Sequence, residues 1–299
     1  MTRRVTQGLW EIMGHALTQS EADKTHLVMS VETFNRLREF IYEQTGITFQ
    51  ENQKYLLESR LLQRLKEHKL TSYQDYYTFL RFDTYRDKEL TAFYELITTN
   101  ETYFYRDLPQ LETFMRTIVP AVMDANKDTK QIRIWSAACS TGDEPYTMAI
   151  MLLEHLPLAN WNIEILGTDI SDVVLTHART ALYGAHTLRH VPPALKRKYF
   201  IEQKGQFALT PAVKARVKFT NLNLYDRPRL KLVRSIDVLF CRNCLIYFDD
   251  KAKCQIVTDL HAALKPNGYL VIGFSESLTN MAKLFRPIHA GRSVVYQKV

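Results

Sequence analysis

The sequence predicts an α/β protein: a doubly wound, mostly parallel sheet, preceded by an all-α domain and interrupted by an insertion with short β-like pieces. Three observations predict it. Between Ser30 and Ile97, apolar residues recur at helical spacing with no strand signal. From Gln131 onward, short apolar β-type runs alternate with helical ones, the pattern of a parallel sheet covered on both faces. Within 183–220 that alternation gives way to short β-like pieces, as an insertion would.

Taken in order, residues 1–28 read as a leader with a short helix around Leu9–Leu17. Ser30 is a good N-cap, Phe34, Leu37 and Ile41 share a helix face, and Gly46 supplies a stop. Helical patterning continues through 52–68, 72–82 and 86–97, so residues 29–97 form the α-helical domain. In YLLESRLLQRLKEHKL (55–70), Leu57, Leu61 and Leu65 make an apolar stripe, with Arg60 and Arg64 one turn apart on the adjoining face. TTNETYFYRD (98–107) follows neither periodicity: it sets Asn100, Thr102 and Arg106 among Tyr103, Phe104 and Tyr105. It reads either as a linker whose aromatics plug an interface or as the lip of a ligand site.

The remainder, 108–299, is expected to be the α/β domain. QIRIWSAA (131–138) is a strand, 143–156 a helix, NIEILGTDIS (162–171) a strand and 171–182 a helix. SIDVLFCRN (235–243) is a buried strand, 250–268 a helix closed by a Pro/Gly turn, and YLVIGFSE (269–276) a strand. FRPIHA and RSVVYQKV, joined through Gly291, make a terminal hairpin.

Composition narrows the function classes. A hydrophobic content of 46% and a charged content of 24% are ordinary for a soluble globular chain of 299 residues. No run of about 18 apolar residues occurs, and the N-terminus lacks a signal-peptide core, so a cytoplasmic protein without membrane insertion is expected. Four cysteines (139, 241, 244, 254) are no disulfide framework. CRNC (241–244) matches C-x-x-C but has no second ligand pair, so no metal site is expected. A net charge of +7 implies an acidic partner if it is clustered.

In an open parallel sheet, ligands bind beyond the carboxyl ends of the strands. After the first strand comes SAACSTGDEP (136–145), whose small residues admit close approach and whose Asp143 and Glu144 open a helix. That is no phosphate cradle, and acids there repel phosphate. After the second strand comes Asp169, placed to cap a turn or to hold ribose hydroxyls. Asn223 of NLNL (221–224) lies at another strand end, and Arg242-Asn243 follows the strand at 235. Carboxylates without a phosphate cradle point to S-adenosylmethionine, a ribonucleoside that carries a sulfonium and an amino acid but no phosphate.

Five segments then make a family resemblance. TTNETYFYRD (98–107), WSAACSTGDEPYTMA (135–149), LGTDIS (166–171), FCRNCLIYFD (240–249) and GYLVIGFSES (268–277) occur in the order and spacing of the CheR family, the glutamate methyltransferases of bacterial chemotaxis. The chain resembles that family from about residue 29 to 299. The resemblance implies a class I methyltransferase fold with a small antiparallel β-subdomain inserted at about 183–220, S-adenosylmethionine as donor with S-adenosylhomocysteine as product, and γ-methyl esters formed on glutamates of chemoreceptor cytoplasmic helices. Asn100, Thr102, Arg106, Glu144, Asp169, Asn223, Leu224, Arg242 and Asn243 match its cofactor contacts, and Arg106 and Tyr247 the two residues nearest the transferred methyl. Arg60, Arg64 and Lys66 match its basic substrate-recognition helix. The inserted subdomain docks a receptor tail in some members, but EQKGQFALTP lacks their compact glycine loop, and no tail docking is expected. A monomer is expected. Two rivals stay open: a nucleic-acid methyltransferase, suggested by the basic balance, and a non-catalytic S-adenosylmethionine-binding scaffold.

Overall fold

A computed structural model of the chain describes residues 27–156, 160–278, 281 and 283–299. All but the last two residues of the expected leader, including its helix around Leu9–Leu17, therefore lie outside the described residues. The chain divides into two compact units: the described residues up to Leu37 with Gln50–Arg86, and Arg38–Phe49 with Asp87–Val299.

In the first unit, helix α1 (Val31–Thr45) starts where Ser30 Oγ accepts a bond from Thr33 N–H at 3.0 Å. A 3-10 turn leads into α2 (Lys54–Glu67), whose Leu57, Leu61 and Leu65 are all fully buried, as their spacing predicts. Helix α3 (Tyr73–Phe82) is capped by Ser72 and buries Tyr73, Tyr76 and Leu80. Lys66 is exposed, while Arg60 and Arg64 are half-buried. Arg64 pairs with Glu67 and lies 3.1 Å from His68 Nε2.

The second unit holds the last turns of α1, then α4 (Arg86–Ile97), α5 (Leu108–Thr113), a π-helical turn and α6 (Val119–Ala125). Next come β1 (Gln131–Ala137), α7 (Asp143–His155), β2 (Asn162–Asp169) and α8 (Asp172–Thr180). A small antiparallel sheet contains β3 (Leu182–Tyr183), with α9 (Pro193–Tyr199) leading into β4 (Phe200–Gln203) and β5 (Gln206–Leu209). Lys204 and Gly205 both have positive φ, the signature of a two-residue type I′ turn. After α10 (Pro211–Lys214) come β6 (Val217–Asn221), α11 (Arg227–Leu230), β7 (Ile236–Cys241), α12 (Asp250–Ala263) and β8 (Leu264–Ile272). The hairpin β9 (Phe285–Ala290) and β10 (Ser293–Lys298) ends the chain.

The seven-stranded sheet has the order β6-β2-β1-β7-β8-β10-β9, with β6 to β8 parallel and β10 and β9 antiparallel. Strand β7 is buried at every position because both faces of a central parallel strand are covered. Val238 and Phe240 enter one apolar cluster, and Leu239 and Cys241 the other.

Three boundaries differ from the sequence reading. Residues 217–220, placed in the insertion, belong to β6, which pairs with β2 and forms an edge of the main sheet. Helix α12 ends at Ala263, and the Lys-Pro-Asn-Gly stretch opens β8, whose register shifts opposite Ile236 and Val238. A side chain on Gly268 would come within 3.2 Å of the Ile236 and Asp237 carbonyls, so the irregular strand depends on that glycine. Strand β8 stops at Ile272, because Gly273–Glu276 turns back on itself through a 3.0 Å backbone bond.

Candidate active site

The chain runs outward from β1 through β2 to β6, then returns to the other side of β1 with β7 and β8, so the switch in strand order falls between β1 and β7. A cavity of 320 Å³ opens there, within the second unit. Its lining includes all nine residues expected to contact the cofactor together with Tyr247: Asn100, Thr102, Arg106, Glu144, Asp169, Asn223, Leu224, Arg242, Asn243 and Tyr247 all border it. Arg60, Arg64 and Lys66 do not; they sit on α2 in the first unit.

The floor is a closed set of polar contacts. After β1 the chain takes positive φ at Ala138, Ser140 and Gly142, which curls the loop around the cavity. Ser140 N–H donates to Asp169 Oδ2 at 2.9 Å and Ser171 N–H to Oδ1 at 3.0 Å, so Asp169 fixes two turns while facing the cavity. Burial raises its carboxyl above the ordinary range, opposed by these N–H bonds. Glu144 accepts from Ser136 Oγ at 2.6 Å and from Arg242 Nη1 at 3.0 Å. Arg242 spends its other nitrogens on Gln110 Oε1 (2.7 Å), Asp107 Oδ2 (2.6 Å) and the Arg106 carbonyl (3.1 Å). Every nitrogen of that guanidinium is thus held by a protein acceptor. Asn223 is also engaged, donating to the Gln44 carbonyl at 2.7 Å and accepting from Tyr225 N–H at 2.9 Å.

The opening motif divides its aromatics. Phe104 is fully buried, edge-on to Tyr183 and Phe200 of the small sheet, at 4.8 Å and 5.2 Å between ring centres. Tyr105 is buried at φ 60, and burial drives its phenol pKa up. Tyr103 alone of the three borders the cavity. Arg106 is half-buried, donating to the Glu101 carbonyl at 2.8 Å. The plug and the lip are therefore both present, on neighbouring residues.

The donor set suits the ribonucleoside sulfonium read from the sequence. Two carboxylates, Asp169 and Glu144, keep lone pairs for hydroxyl or ammonium groups. Leu222, Leu224 and Ile170 supply apolar wall, and the cavity size falls in the usual range for small ligands.

Comparison with known proteins decides the family. The domain described as "CheR methyltransferase, SAM binding domain" matches residues 100–294, and "CheR methyltransferase, all-alpha domain" matches residues 32–98. The chain belongs to the CheR family of methyltransferases. It is 35% identical to "Chemotaxis protein methyltransferase 2" of Vibrio cholerae, over 91% of this chain and 94% of that protein. It is 36% identical to "Chemotaxis protein methyltransferase" of Borreliella burgdorferi, over 83% and 88%, and 32% identical to "Chemotaxis protein methyltransferase 1" of Pseudomonas aeruginosa, over 88% and 97%. S-adenosylmethionine is accordingly the cofactor of this domain, and its reaction is methyl transfer. Among the described residues no helix is long and apolar enough to cross a membrane.

Several residues of the CheR site carry no signal of their own in sequence. Glu276 accepts backbone N–H bonds from Gly273 (2.5 Å), Asn243 (3.0 Å) and Ile246 (3.3 Å), which holds Asn243 at φ 58 and begins the 3-10 turn Leu245–Tyr247. A side chain at Gly273 would strike Glu276 Oε2 at 2.7 Å, so the clamp requires glycine there. Thr48 N–H donates to the Tyr247 carbonyl at 2.9 Å, and Ile47 bridges Phe248, so a segment some two hundred residues upstream fixes the same turn. Gly46 makes that approach possible: φ is 72, and a side chain would meet the Tyr225 ring at 2.7 Å. The spacing Gly-x-x-Glu in GFSES could have suggested the clamp; the Thr48 contact could not be seen without the fold.

Proposed function

We propose that this methyltransferase esterifies glutamate side chains on the cytoplasmic helices of methyl-accepting chemoreceptors. The observation that carries this reading is the pairing of Arg106 and Tyr247 on the wall of one cavity, with Arg106 free of any carboxylate partner among the described residues. A guanidinium in that state can orient an incoming carboxylate through its fork of donors, and the Tyr247 hydroxyl can place the second oxygen. A glutamate carboxylate, with an ordinary pKa near 4.3, is already ionised at neutral pH, so no general base is needed. When bound, S-adenosylmethionine supplies an electrophilic methyl whose S–C bond breaks towards sulfur as the new O–C bond forms.

The chain's own contribution is position. Asp169, Glu144 and Asn243 hold the donor from the floor, Asn100 and Thr102 from the lip, and Leu224 shields it from water. Orientation of this kind is worth roughly 7–11 kcal/mol of barrier. Residues 98–107 act as the linker that brings Arg106 to the site. Arg60, Arg64 and Lys66 are the face that steers an acidic helix, an effect on encounter rate that weakens with salt. No receptor-tail docking is assigned to the small antiparallel sheet, and the chain acts as a monomer.

The test is incubation of the purified protein with methyl-labelled S-adenosylmethionine and cognate receptor membranes. Label on the receptor that leaves as methanol in mild base establishes a carboxyl methyl ester. Base-resistant label, or none while calorimetry shows cofactor binding, overturns the acceptor.

A further inference from the structure

A second cation stands at the lip. The Arg189 guanidinium lies 3.7 Å from the centre of the Tyr103 ring, which is stacking distance, and the Arg106 guanidinium lies 5.6 Å from the same ring. Tyr103 and Arg106 border the cavity. Arg189 is exposed, in the loop between β3 and α9, and its Nη1 donates to the His186 carbonyl at 3.0 Å. His190 packs on the same ring at 5.2 Å between ring centres. Among the described residues, neither Arg106 nor Arg189 is ion-paired with a carboxylate, whereas buried Arg242 nearby has two.

Stacking fixes the plane of a guanidinium and leaves its N–H edges directed outward, which preorganises it for a carboxylate at little further entropy cost. One lip arginine serves the target carboxylate. The other, held by the same ring, has no carboxylate partner among the described residues. We propose that Arg189, stacked on Tyr103, is an acceptor subsite for a second carboxylate, an acidic side chain one helical turn from the glutamate that is methylated. This rests on the acceptor reading given above. It makes Arg189 a specificity-determining residue, with Tyr103 as the element that ties its position to that of Arg106.

The experiment uses the full chain, methyl-labelled S-adenosylmethionine and two soluble cytoplasmic receptor fragments, one native and one with the acids a helical turn from the target replaced by glutamine. Arg189→Gln is expected to raise KM for the native fragment roughly tenfold, the worth of one charge-assisted hydrogen bond, with cofactor affinity unchanged. On the neutral fragment the same substitution should change KM by less than about twofold, since the pair is already broken. Arg189→Lys should recover part of the loss, and Arg189→Glu should be rescued by a fragment carrying lysine at the flanking position. An equal rise in KM on both fragments would show that Arg189 only packs on Tyr103, and no rise on either would remove it from recognition; each sinks the proposal while leaving ester formation standing. Absence of label with the unmodified enzyme would overturn the acceptor reading and this subsite together.

Discussion

The floor and the lip of the cavity are built from the same kinds of side chain and use them in opposite ways. On the floor, Arg242 is buried and answered by Glu144, Asp107, Gln110 and a carbonyl. At the lip, Arg106 and Arg189 meet carbonyls and one aromatic ring, with no carboxylate within pairing distance among the described residues. A buried charge must be paired or the fold loses stability, whereas a half-exposed one can stay unpaired because water still reaches it. The floor therefore answers its cation from within the protein, while the lip keeps two cations without an acid partner among the described residues. One bond joins the two: Arg242 holds the carbonyl of Arg106, so the satisfied arginine sets the backbone of the unsatisfied one.

Removing each arginine breaks the comparison most directly. Arg242→Met leaves Glu144 and Asp107 without their cation, and breaking a buried pair typically costs about 3–5 kcal/mol, which thermal unfolding should show as a large drop in midpoint. Arg106→Met should cost stability less than about 1 kcal/mol, as an exposed or half-exposed charge does. Its turnover should nevertheless fall by roughly 100-fold or more, the penalty of losing carboxylate orientation, with cofactor affinity held within a few fold. If the Arg106 variant unfolds as readily as the Arg242 variant, the division between floor and lip is wrong.

A buried acid beside the floor is less well answered, and it sharpens the comparison through pH. Asp143, fully buried at the start of α7, bonds Thr141 Oγ1 through Oδ2 at 2.6 Å but leaves Oδ1 without a partner. Burial raises its pKa from 3.8 to about 6, against the opposing bond from Thr141. The folded state then holds a proton that the unfolded state has released, so stability is full below about pH 4 and declines as pH rises through about 6. The decline has a ceiling of about 3 kcal/mol from this group. Unfolding measured from pH 4 to 7 should show Asp143→Asn with a flatter profile than the unmodified chain. Parallel profiles would assign the pH dependence elsewhere.

Much of this was legible in sequence, and the parts that were not share a cause. Local patterns placed the Leu57–Leu61–Leu65 stripe, the buried run of β7 and the strand-end positions of Asp169 and Asn243. Motif matching gathered residues that do line a single cavity, but it could not say which of them spend their side chains on the protein. Arg242 and Asn223 border the cavity with their polar groups engaged by Gln110, Asp107 and Gln44, partners more than a hundred residues away. The β6 strand was hidden for a related reason. Its alternating polar edge resembles a subdomain piece, and only pairing with β2 assigns it to the main sheet. Long-range pairing leaves little mark on either partner's local sequence.

Glu276 gives the smallest expected effect and the finest test, because it belongs to neither class. Its carboxylate accepts three backbone N–H bonds, so it is satisfied like the floor, yet what it fixes is the turn that ends in Tyr247 at the cavity wall. Glutamine in its place keeps one acceptor oxygen and loses the charge, weakening bonds of the charge-assisted kind. Turnover of Glu276→Gln should fall roughly tenfold, with the stability loss near 1 kcal/mol. A merely destabilised enzyme would show the same factor in every background, whereas a positioning residue works through its client. In a double-mutant cycle, Glu276→Gln added to Tyr247→Phe should cost turnover much less than it does alone, since residues acting as a unit are not additive. Strict additivity would detach Glu276 from Tyr247 and leave it holding only Asn243 and the end of β8.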